Sequence, residues 1–397
     1  MHAPSPQPQA TTPLDLLASL AAQHQRLNAA LERTGRHEWR NQYHRDLSPI
    51  GWHYAHCHFV EAAWLHERVL DETTSNTRDW HDLYLPELSP KWRRGGRLPP
   101  RDRMLAWGRR CQDRHLHLLR EDPRVHRHAL LEGHYLTGFL AQHHAMHLES
   151  LEQVRWFARL QGSPCPSAGA PPPPRMTAAS EWRRFPDPSR HTTGSEAVTA
   201  FDNEQGVHGV DLAPYAIASR PVSNAWIIAF IEAGGYRPGP HWDEAGRAWL
   251  ERTGVAAPLG WQRTPEGGFV QTLPDGTHRL NPEAAAVGLS WYEAAAFARW
   301  AGARLPHEHE WEHAAQAGVL HGTGQVWEWC ANRFYPYPGF RPFPYDAYSR
   351  PWFDDRHYVL RGGSAWSDPL LARTTLRNFF TPDKRHVFAG IRLARSL

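Results

Sequence analysis

A proline-rich segment divides this chain into two parts that must fold separately. Residues 161–180 read QGSPCPSAGAPPPPRMTAAS and include four consecutive prolines at 171–174. Proline lacks a backbone N–H and the small residues around it bury little surface, so this stretch cannot build a core. We therefore predict two domains, at 10–162 and 185–397, joined by an extended linker at 163–184.

The N-terminal part has the periodicity of amphipathic helices. Apolar residues recur at spacings of three and four within four stretches, which lie at 13–34, 52–70, 101–119 and about 125–160. Such spacing places the apolar side chains on one face of a helix. With a longer connection at 71–99, four helices of this kind predict an antiparallel four-helix bundle.

The C-terminal part has a different pattern. Short strand-like runs such as YAIASRPVS alternate with turn residues, and the chain's 19 tryptophans are concentrated after position 180. One helix is indicated at 290–302, because Ser290 stands at its N-cap and Glu293 completes a capping box. The chain is therefore predicted to be an α+β protein, with a loop-rich mixed domain after the linker.

Charge and cysteine content exclude several classes of protein. The 44 basic and 41 acidic side chains nearly cancel and are interspersed, so there is no basic stripe for nucleic acid or an anionic membrane. The four cysteines lack CxxC spacing, which argues against a zinc ribbon or a disulfide framework. Without a signal-peptide pattern or an apolar run of roughly 18 residues, the sequence predicts a cytoplasmic protein with a small-molecule partner.

The stretch QHHAMHLES at 142–150 carries the first candidate metal ligands. On a helix, His143 and His147 are four residues apart and project from one face, whereas His144 points elsewhere. Glu149 is badly placed as a direct ligand but can orient one of these histidines. The alternative is a polar helix face, since a chain with 27 histidines also contains such pairs by chance.

A third ligand is expected from the second helix, which contains GWHYAHCHFVE. Either His53 or His56 could complete a set of three, while His58 faces away. Three histidines leave open positions on a first-row metal, so such a site can bind oxygen or a substrate. With zinc the same ligands would activate water, and the ligand types alone do not decide between the metals.

These histidine motifs resemble those of a known family. HHAMHLE is similar to the HxxxHxE motif in the iron-binding DinB-like domain of the ergothioneine-pathway sulfoxide synthases, and SPIGWHYAH resembles the segment that supplies their third histidine. The resemblance implies that the metal is Fe(2+), with O2 as cosubstrate. It implies that the ligands are His56, His143 and His147, with Glu149 in a supporting position.

The C-terminal part carries a second resemblance, to the formylglycine-generating-enzyme-like domain of the same family. Five stretches follow in that domain's order: FDNEQGVHGVDLAPYAIASRPVSNAWIIAFIEAGGY, LSWYEAAAFARWAGARLPHEHEWEHAA, GQVWEWCANRFYPYPGF, VLRGGSAWS and FAGIRLAR. They imply a C-type-lectin-like domain, with iron(II) and hercynine bound between the two domains. Cys330 has no second cysteine to form the copper site of true formylglycine-generating enzymes, which disfavours that activity.

Some positions depart from the family pattern. Met146 stands where a substrate-contacting glutamine is common. Phe334 stands where a catalytic tyrosine is expected, so Tyr335 or Tyr337 becomes the candidate proton donor. The substrate-contacting segment of the family is matched by Asn378, Phe379 and Phe380, for which the alternative is packing in the core.

The resemblance implies an enzyme that uses iron(II) and oxygen to join selenium or sulfur to the imidazole C2 of hercynine. Arg93, Arg94 and Arg97 show no carboxylate-clamp pattern, so we expect them to be mostly solvated. The departures from the family pattern, the compact length and the GWHYAHCHFVE variant look more like the selenoneine synthase branch, which implies a neutral selenosugar donor rather than γ-glutamylcysteine or cysteine. The alternatives from other classes are a non-catalytic metal-binding protein of the same fold and a zinc hydrolase.

Overall fold

The computed structural model describes residues 13–35, 37–162 and 180–397. Contacts between Cα atoms divide the chain into a helical unit within Met1–Ala168 and a C-terminal unit. Two short segments of later sequence, Pro274–Gly276 and Asp368–Leu370, are grouped with the helical unit. Most of the predicted linker, residues 163–179, lies outside the described residues, as do residues 10–12 of the first predicted domain.

The N-terminal half is helical, as the periodicity predicts. Its described helices are α1 (Pro13–Glu32), α2 (Ile50–Ala62), α3 (Ser75–Arg78), α4 (His81–Tyr84), α5 (Lys91–Arg97), α6 (Arg101–Glu121), α7 (Pro123–His126) and α8 (Tyr135–Leu160). The long helices α1, α2, α6 and α8 overlap the four predicted stretches, and α1 and α2 contact each other and both of the other two. The connection at 71–99 is not extended, because α3, α4 and α5 lie within it.

Two helix boundaries differ from the sequence prediction. Helix α8 begins at Tyr135 rather than near residue 125, because Gly133 and His134 have positive φ angles of 58° and 61°, which interrupt α-helical geometry. Beyond its last α-helical residue, α2 continues as a π-helical segment at Ala63–Val69. The break before α8 and the π-helical segment after α2 are changes of backbone geometry, which the spacing of apolar side chains does not predict.

Helix α2 is enclosed by the rest of the helical unit. Of its 13 residues, every one except Val60 is buried. Its polar members are buried with the apolar ones: His53, His56, His58 and Glu61. A helix buried on all sides forms the core of its domain, so these polar groups must find their partners inside the unit.

The C-terminal unit combines helices with short strands, which confirms a mixed helix and sheet chain. Its helices are α9 (Asn224–Glu232), α10 (Glu244–Thr253), α11 (Trp291–Trp300) and α12 (Glu308–Gln316). The strands are β1 (Trp182–Phe185), β2 (Ser189–Thr193), β3 (His208–Leu212), β4 (Tyr215–Ala218), β5 (Trp261–Arg263), β6 (Phe269–Leu273), β7 (Gly276–Arg279), β8 (Trp327–Arg333), β9 (Tyr358–Arg361), β10 (Asn378–Phe380), β11 (Ala389–Gly390) and β12 (Ala394–Ser396). Strand β1 starts inside the range 163–184 that the sequence assigns to the linker.

The described strands form four small sheets, with the orders β1-β4-β12, β10-β9-β8-β11, β2-β3 and β5-β6-β7. In the four-stranded sheet, β9 is antiparallel to both β8 and β10, whereas β11 is parallel to β8. The predicted capping box is confirmed at the start of α11. The Ser290 hydroxyl accepts from the Glu293 backbone N–H at 3.2 Å, and the Glu293 carboxylate accepts from the Ser290 N–H at 2.8 Å.

Two features of the whole chain concern its environment. Among the described residues, no helix combines the length and the apolar composition that crossing a membrane requires. Cys57, Cys111 and Cys330 are buried free thiols, and Cys165 lies outside the described residues.

A buried ion pair ties the four-stranded sheet to the chain's C-terminal segment. Arg392 donates to both carboxylate oxygens of Glu328, from Nε at 2.6 Å and from Nη2 at 2.8 Å. The Trp311 indole N–H donates to the same carboxylate at 2.5 Å. Both charged side chains are 0 % exposed, so each charge depends on the other for compensation.

Breaking this pair should destabilise the C-terminal unit strongly. The substitution Glu328→Gln leaves the Arg392 guanidinium buried without its countercharge, which costs about 3–5 kcal/mol. Urea unfolding followed by near-ultraviolet circular dichroism measures the change. Asp211→Asn is the matched control, because its pair with Arg190 is 3.2 Å long but exposed to solvent. Equal shifts of the unfolding midpoint in the two variants would contradict a structural role for the buried pair.

Candidate metal centre

The structure brings the three predicted metal ligands together. His56 lies on α2, and His143 and His147 lie one turn apart on α8. One ligand atom of each residue lies within 4.8 Å of the others. The imidazole ring centroids are 5.2 Å apart for His56 and His143, 4.7 Å for His56 and His147, and 4.5 Å for His143 and His147. Three nitrogens therefore converge from two contacting helices.

Short helix α4 fixes the orientation of the His56 ring. His56 Nδ1 lies 2.7 Å from the Tyr84 carbonyl oxygen, so it carries the proton and leaves Nε2 as the ligand atom. Trp52 stacks on the same ring, with centroids 4.5 Å apart and an angle of 11° between planes. The Trp52 indole N–H in turn donates to the Leu83 carbonyl at 2.7 Å. The backbone of α4 thus holds both the ligand ring and the ring that covers it.

The expectation that the arginines of α5 are solvated is wrong for Arg94. Its side chain is 2 % exposed, and its guanidinium carbon lies 3.8 Å above the Trp52 ring. It donates to the Ser89 carbonyl at 2.9 Å, the Ser48 hydroxyl at 2.6 Å and the Pro86 carbonyl at 3.1 Å. These acceptors and the aromatic face compensate its burial. Arg93 and Arg97 are exposed, as expected.

His53, the second candidate for the third ligand, has a different role in this geometry. Its Nδ1 lies 2.8 Å from His147 Nδ1. The other nitrogen of His147, Nε2, lies 3.2 Å from His143 Nε2. His53 therefore contacts the side of His147 that faces away from His143, and it is placed to orient that ring.

The electrostatics favour metal binding by these side chains. Burial lowers the pKa of His56 to about 3, against the opposing effect of the Tyr84 carbonyl. Burial also lowers the pKa values of His143 and His147 well below the usual value, and neighbouring histidines add to the effect. All three imidazoles are neutral at neutral pH, which is the form that binds metals. Three neutral nitrogens fit a first-row divalent ion such as iron(II) and leave coordination positions open.

Two further predicted residues lie on α8 beside the ligands. Glu149 is buried, and Met146 is half-buried. Met146 directly precedes His147 in sequence, and its carbonyl accepts from the Ser150 hydroxyl at 3.1 Å. A supporting role for Glu149 and a substrate contact for Met146 stay predictions.

The predicted substrate-binding segment forms strand β10 of the C-terminal unit. Phe379 stacks on Phe334 with ring centroids 4.1 Å apart and an angle of 14° between planes, and it packs on the core cluster of Cys330, Phe334 and Val359. Side chains alternate along a strand, so Asn378 and Phe380 lie on the other face. Both are half-buried. Of the three predicted substrate-binding residues, Phe379 therefore packs on the core, and Asn378 and Phe380 are the candidates for contact with a ligand.

The two candidate tyrosines lie in contrasting surroundings. The Tyr337 hydroxyl accepts from Arg361 Nη2 at 3.1 Å and lies 3.3 Å from the Thr193 hydroxyl. Burial, followed by the nearby Glu308 carboxylate, raises the pKa of Tyr337 to about 12. Tyr335, in contrast, is 49 % exposed. Sequence reasoning named both residues but had no signal for the ion-pair network that surrounds Tyr337.

Comparisons with known proteins bear on both halves of the chain. Residues 177–323 and 318–397 match the Sulfatase-modifying factor enzyme 1-like domain. A hercynine oxygenase from Mycolicibacterium thermoresistibile is 28% identical over 90% of this chain and 89% of its own length. The hercynine oxygenase of Mycobacterium tuberculosis is 32% identical over 49% of this chain and 56% of that protein. A formylglycine-generating enzyme from Streptomyces coelicolor is 33% identical over 42% of this chain and 56% of that enzyme.

Formylglycine-generating enzymes share the similarity to the C-terminal half, so this half alone does not distinguish them from the hercynine oxygenases. The similarity to the hercynine oxygenase of M. thermoresistibile does, because it extends across 90% of the chain and so includes the helical half with the three histidines. The chain belongs to the ergothioneine sulfoxide synthase family, and its C-terminal half is a sulfatase-modifying factor enzyme 1-like domain.

Proposed function

We propose that this protein is an oxygen-dependent enzyme that acts on hercynine and holds iron(II) with His56, His143 and His147. The observation that carries the proposal is the convergence of three neutral imidazoles from α2 and α8, with ligand atoms within 4.8 Å of one another. The names of the similar hercynine oxygenases support the substrate. We further propose that the helical unit, 10–162, is a DinB-like four-helix bundle and that residues 185–397 form a C-type-lectin-like domain after the linker 163–184.

The chemistry assigned to the site explains its ligand set. The imidazole C2 of hercynine is not activated toward a sulfur or selenium nucleophile, so iron(II) bound with O2 would supply the oxidation that C–S or C–Se bond formation needs. Because the three histidines are neutral, an ion held by them would keep its positive charge and would attract an anionic thiolate or selenolate. His53 and the Tyr84 carbonyl keep the His147 and His56 rings in the orientation that binding requires.

We propose that hercynine is recognised by the face of β10 that carries Asn378 and Phe380. The quaternary ammonium group of hercynine cannot donate a hydrogen bond, so aromatic faces and acceptor oxygens suit it. Phe380 offers such a face, whereas Phe379 is engaged with Phe334. The Asn378 amide oxygen accepts from the Phe379 backbone N–H at 2.9 Å and has a second lone pair for a ligand. Tyr337 and Tyr335 are both proposed as proton donors: the Tyr337 hydroxyl accepts from the Arg361 guanidinium and keeps its own proton, and the Tyr335 side chain is hydrogen-bonded to Asp355.

A further part of the proposal concerns the molecule that donates the sulfur or selenium atom. A γ-glutamylcysteine donor brings two carboxylates, which arginine binds well in bidentate geometry. Arg94 cannot serve as such a clamp, because its guanidinium is buried on Trp52. Arg97 is paired with Asp82 at 2.6 Å. We therefore propose a neutral selenosugar as donor, with γ-glutamylcysteine or cysteine as the alternative.

Loss of either paired histidine should remove the iron. Compared with the wild-type chain, His143→Ala and His147→Ala should each bind roughly one equivalent of iron(II) less after anaerobic reconstitution, because the three imidazoles form one site. His53→Ala should weaken binding less than His56→Ala, since His53 contacts His147 rather than the ion. Iron content is measured by colorimetric assay and activity by oxygen uptake with hercynine.

Unchanged iron content and activity in both α8 variants would contradict the site. If His53→Ala were the more severe of the α2 variants, the third ligand would be His53. Wild-type protein that binds iron but takes up no oxygen with hercynine and any donor would indicate a metal-binding protein without this activity. Hydrolytic activity with zinc in its place would indicate a hydrolase.

Competition between donors tests the finer proposal. Reactions offered hercynine with γ-glutamylcysteine, cysteine and a selenosugar together should yield mainly the selenium product by mass spectrometry. Replacing the exposed Arg93 and Arg97 together by Ala should change kcat/KM for that donor less than tenfold, or about 1.4 kcal/mol. A preference for γ-glutamylcysteine, or a hundredfold loss confined to it in this variant, would instead assign the protein a thiol donor.

A further inference from the structure

A second group of buried polar side chains lies in the helical unit, beside the proposed iron ligands. It consists of His24 on α1, His58 and Glu61 on α2, and His144 on α8. One ligand atom of each lies within 4.8 Å of the others. These side chains are 3 % exposed or less. No residue belongs to both groups, although His143 of the first and His144 of the second come together with Cys57 as a further candidate set.

The Glu61 carboxylate is the centre of this group. His24 Nε2 and His144 Nε2 both contact its Oε1, the latter at 2.5 Å. His115 on α6 contacts the other oxygen, Oε2, from Nδ1 at 2.7 Å. Among the residues that the structure describes, no lysine or arginine forms an ion pair with Glu61, so its buried negative charge faces only imidazoles.

Several nitrogens of the group have no hydrogen-bond partner. They are His24 Nδ1, His58 Nδ1 and His144 Nδ1 among the described residues. His144 Nε2 has a partner, because it lies 2.5 Å from Glu61 Oε1. An unsatisfied buried polar atom costs about 1–3 kcal/mol. A neutral imidazole has one lone pair, so one nitrogen of each of these histidines is available to a bound ion.

We propose that His24, His58, Glu61 and His144 form a second metal site, which binds a borderline divalent ion such as Zn²⁺. Imidazole and carboxylate are ligands that zinc accepts in tetrahedral geometry. Metal–ligand bonds of about 2.0–2.1 Å place four ligand atoms roughly 3.3 Å apart. This separation lies between the 2.5 Å from His144 Nε2 to Glu61 Oε1 and the 4.8 Å within which all four ligand atoms fall. The ion would also neutralise the Glu61 charge.

The second site differs from the first in having no open position. Four protein ligands complete a tetrahedron, which is typical of structural rather than catalytic zinc. The ion would crosslink α1, α2 and α8. Helix α6 supplies the outer contacts. His115 holds the second oxygen of Glu61. Gln112 Nε2 donates to His58 Nε2 at 3.0 Å, so binding of the ion by His58 Nδ1 requires the Gln112 amide to turn its oxygen toward His58 Nε2–H.

The experiment isolates the second site by removing the first. The double variant His143→Ala/His147→Ala is stripped with a chelator, refilled with Zn²⁺, dialysed and analysed for metal by mass spectrometry. It should retain roughly one Zn²⁺ per chain. Added Zn²⁺ should also raise its melting temperature, because an ion that binds only the folded state stabilises it.

Further substitutions in the double variant show which residues hold the ion. Adding Glu61→Gln or His58→Asn should abolish both the retained zinc and the thermal shift. Adding His66→Asn is the matched control, because His66 is also buried in the helical unit but belongs to neither group; it should leave both readouts unchanged. Circular dichroism shows whether each variant is folded. If the Glu61→Gln variant is unfolded, the His58→Asn variant provides the test.

Two results would overturn the proposal. One is a double variant that binds no zinc, which would indicate an ion-free cluster of hydrogen bonds around Glu61. The other is zinc that persists when Glu61 and His58 are both replaced. Neither readout depends on hercynine or oxygen, so failure here is distinguishable from failure of the proposed function.

Discussion

The burial of α2 is the constraint on which the helical unit depends. Twelve of its 13 residues are buried, and four of these are histidine or glutamate. A buried polar group without a partner costs several tenths to several kcal/mol, so neighbouring elements must supply partners. They do so from every direction: the Tyr84 carbonyl, His147, Gln112, His24, His115 and His144. The two proposed metal sites follow from this requirement, because it gathers imidazoles from several helices around α2. Burial lowers the pKa values of the three imidazoles in the first site, which keeps them neutral and able to bind an ion.

The C-terminal unit meets a similar requirement with guanidinium groups instead of imidazoles. Glu308 accepts from Arg361 at 2.8 Å and from Arg377 at 2.8 and 2.9 Å. Arg377 directly precedes β10, and Arg361 is the last residue of β9, its partner strand. This buried network therefore fixes the strand that carries Asn378 and Phe380, and it also occupies the Tyr337 hydroxyl. A rigid strand suits the proposed binding face, because its side chains are already ordered before a ligand binds.

Patterns confined to one element predicted the structure well. The spacing of His143 and His147, the four long helices and the capping box of Ser290 each depend on a single helix, and each is present. Predictions that required knowledge of a second element were weaker. Arg94 reads as a solvated residue in KWRRGGR, yet Trp52 and three oxygens from other segments enclose it. His58 and His144 face away from the first site, as periodicity indicates, but periodicity does not reveal that α1 and α6 present His24 and His115 on that side.

The central claim is that His56, His143 and His147 bind the iron, and locating the ion tests this most directly. Crystals grown anaerobically with iron(II) and measured at the iron absorption edge give an anomalous difference map that identifies the ion and its neighbours. The account predicts a peak within bonding distance of one nitrogen from each of these three histidines, with His53 against the far side of His147. An iron peak held by His53 in place of His56, or found only at Glu61 and its histidines, would contradict it.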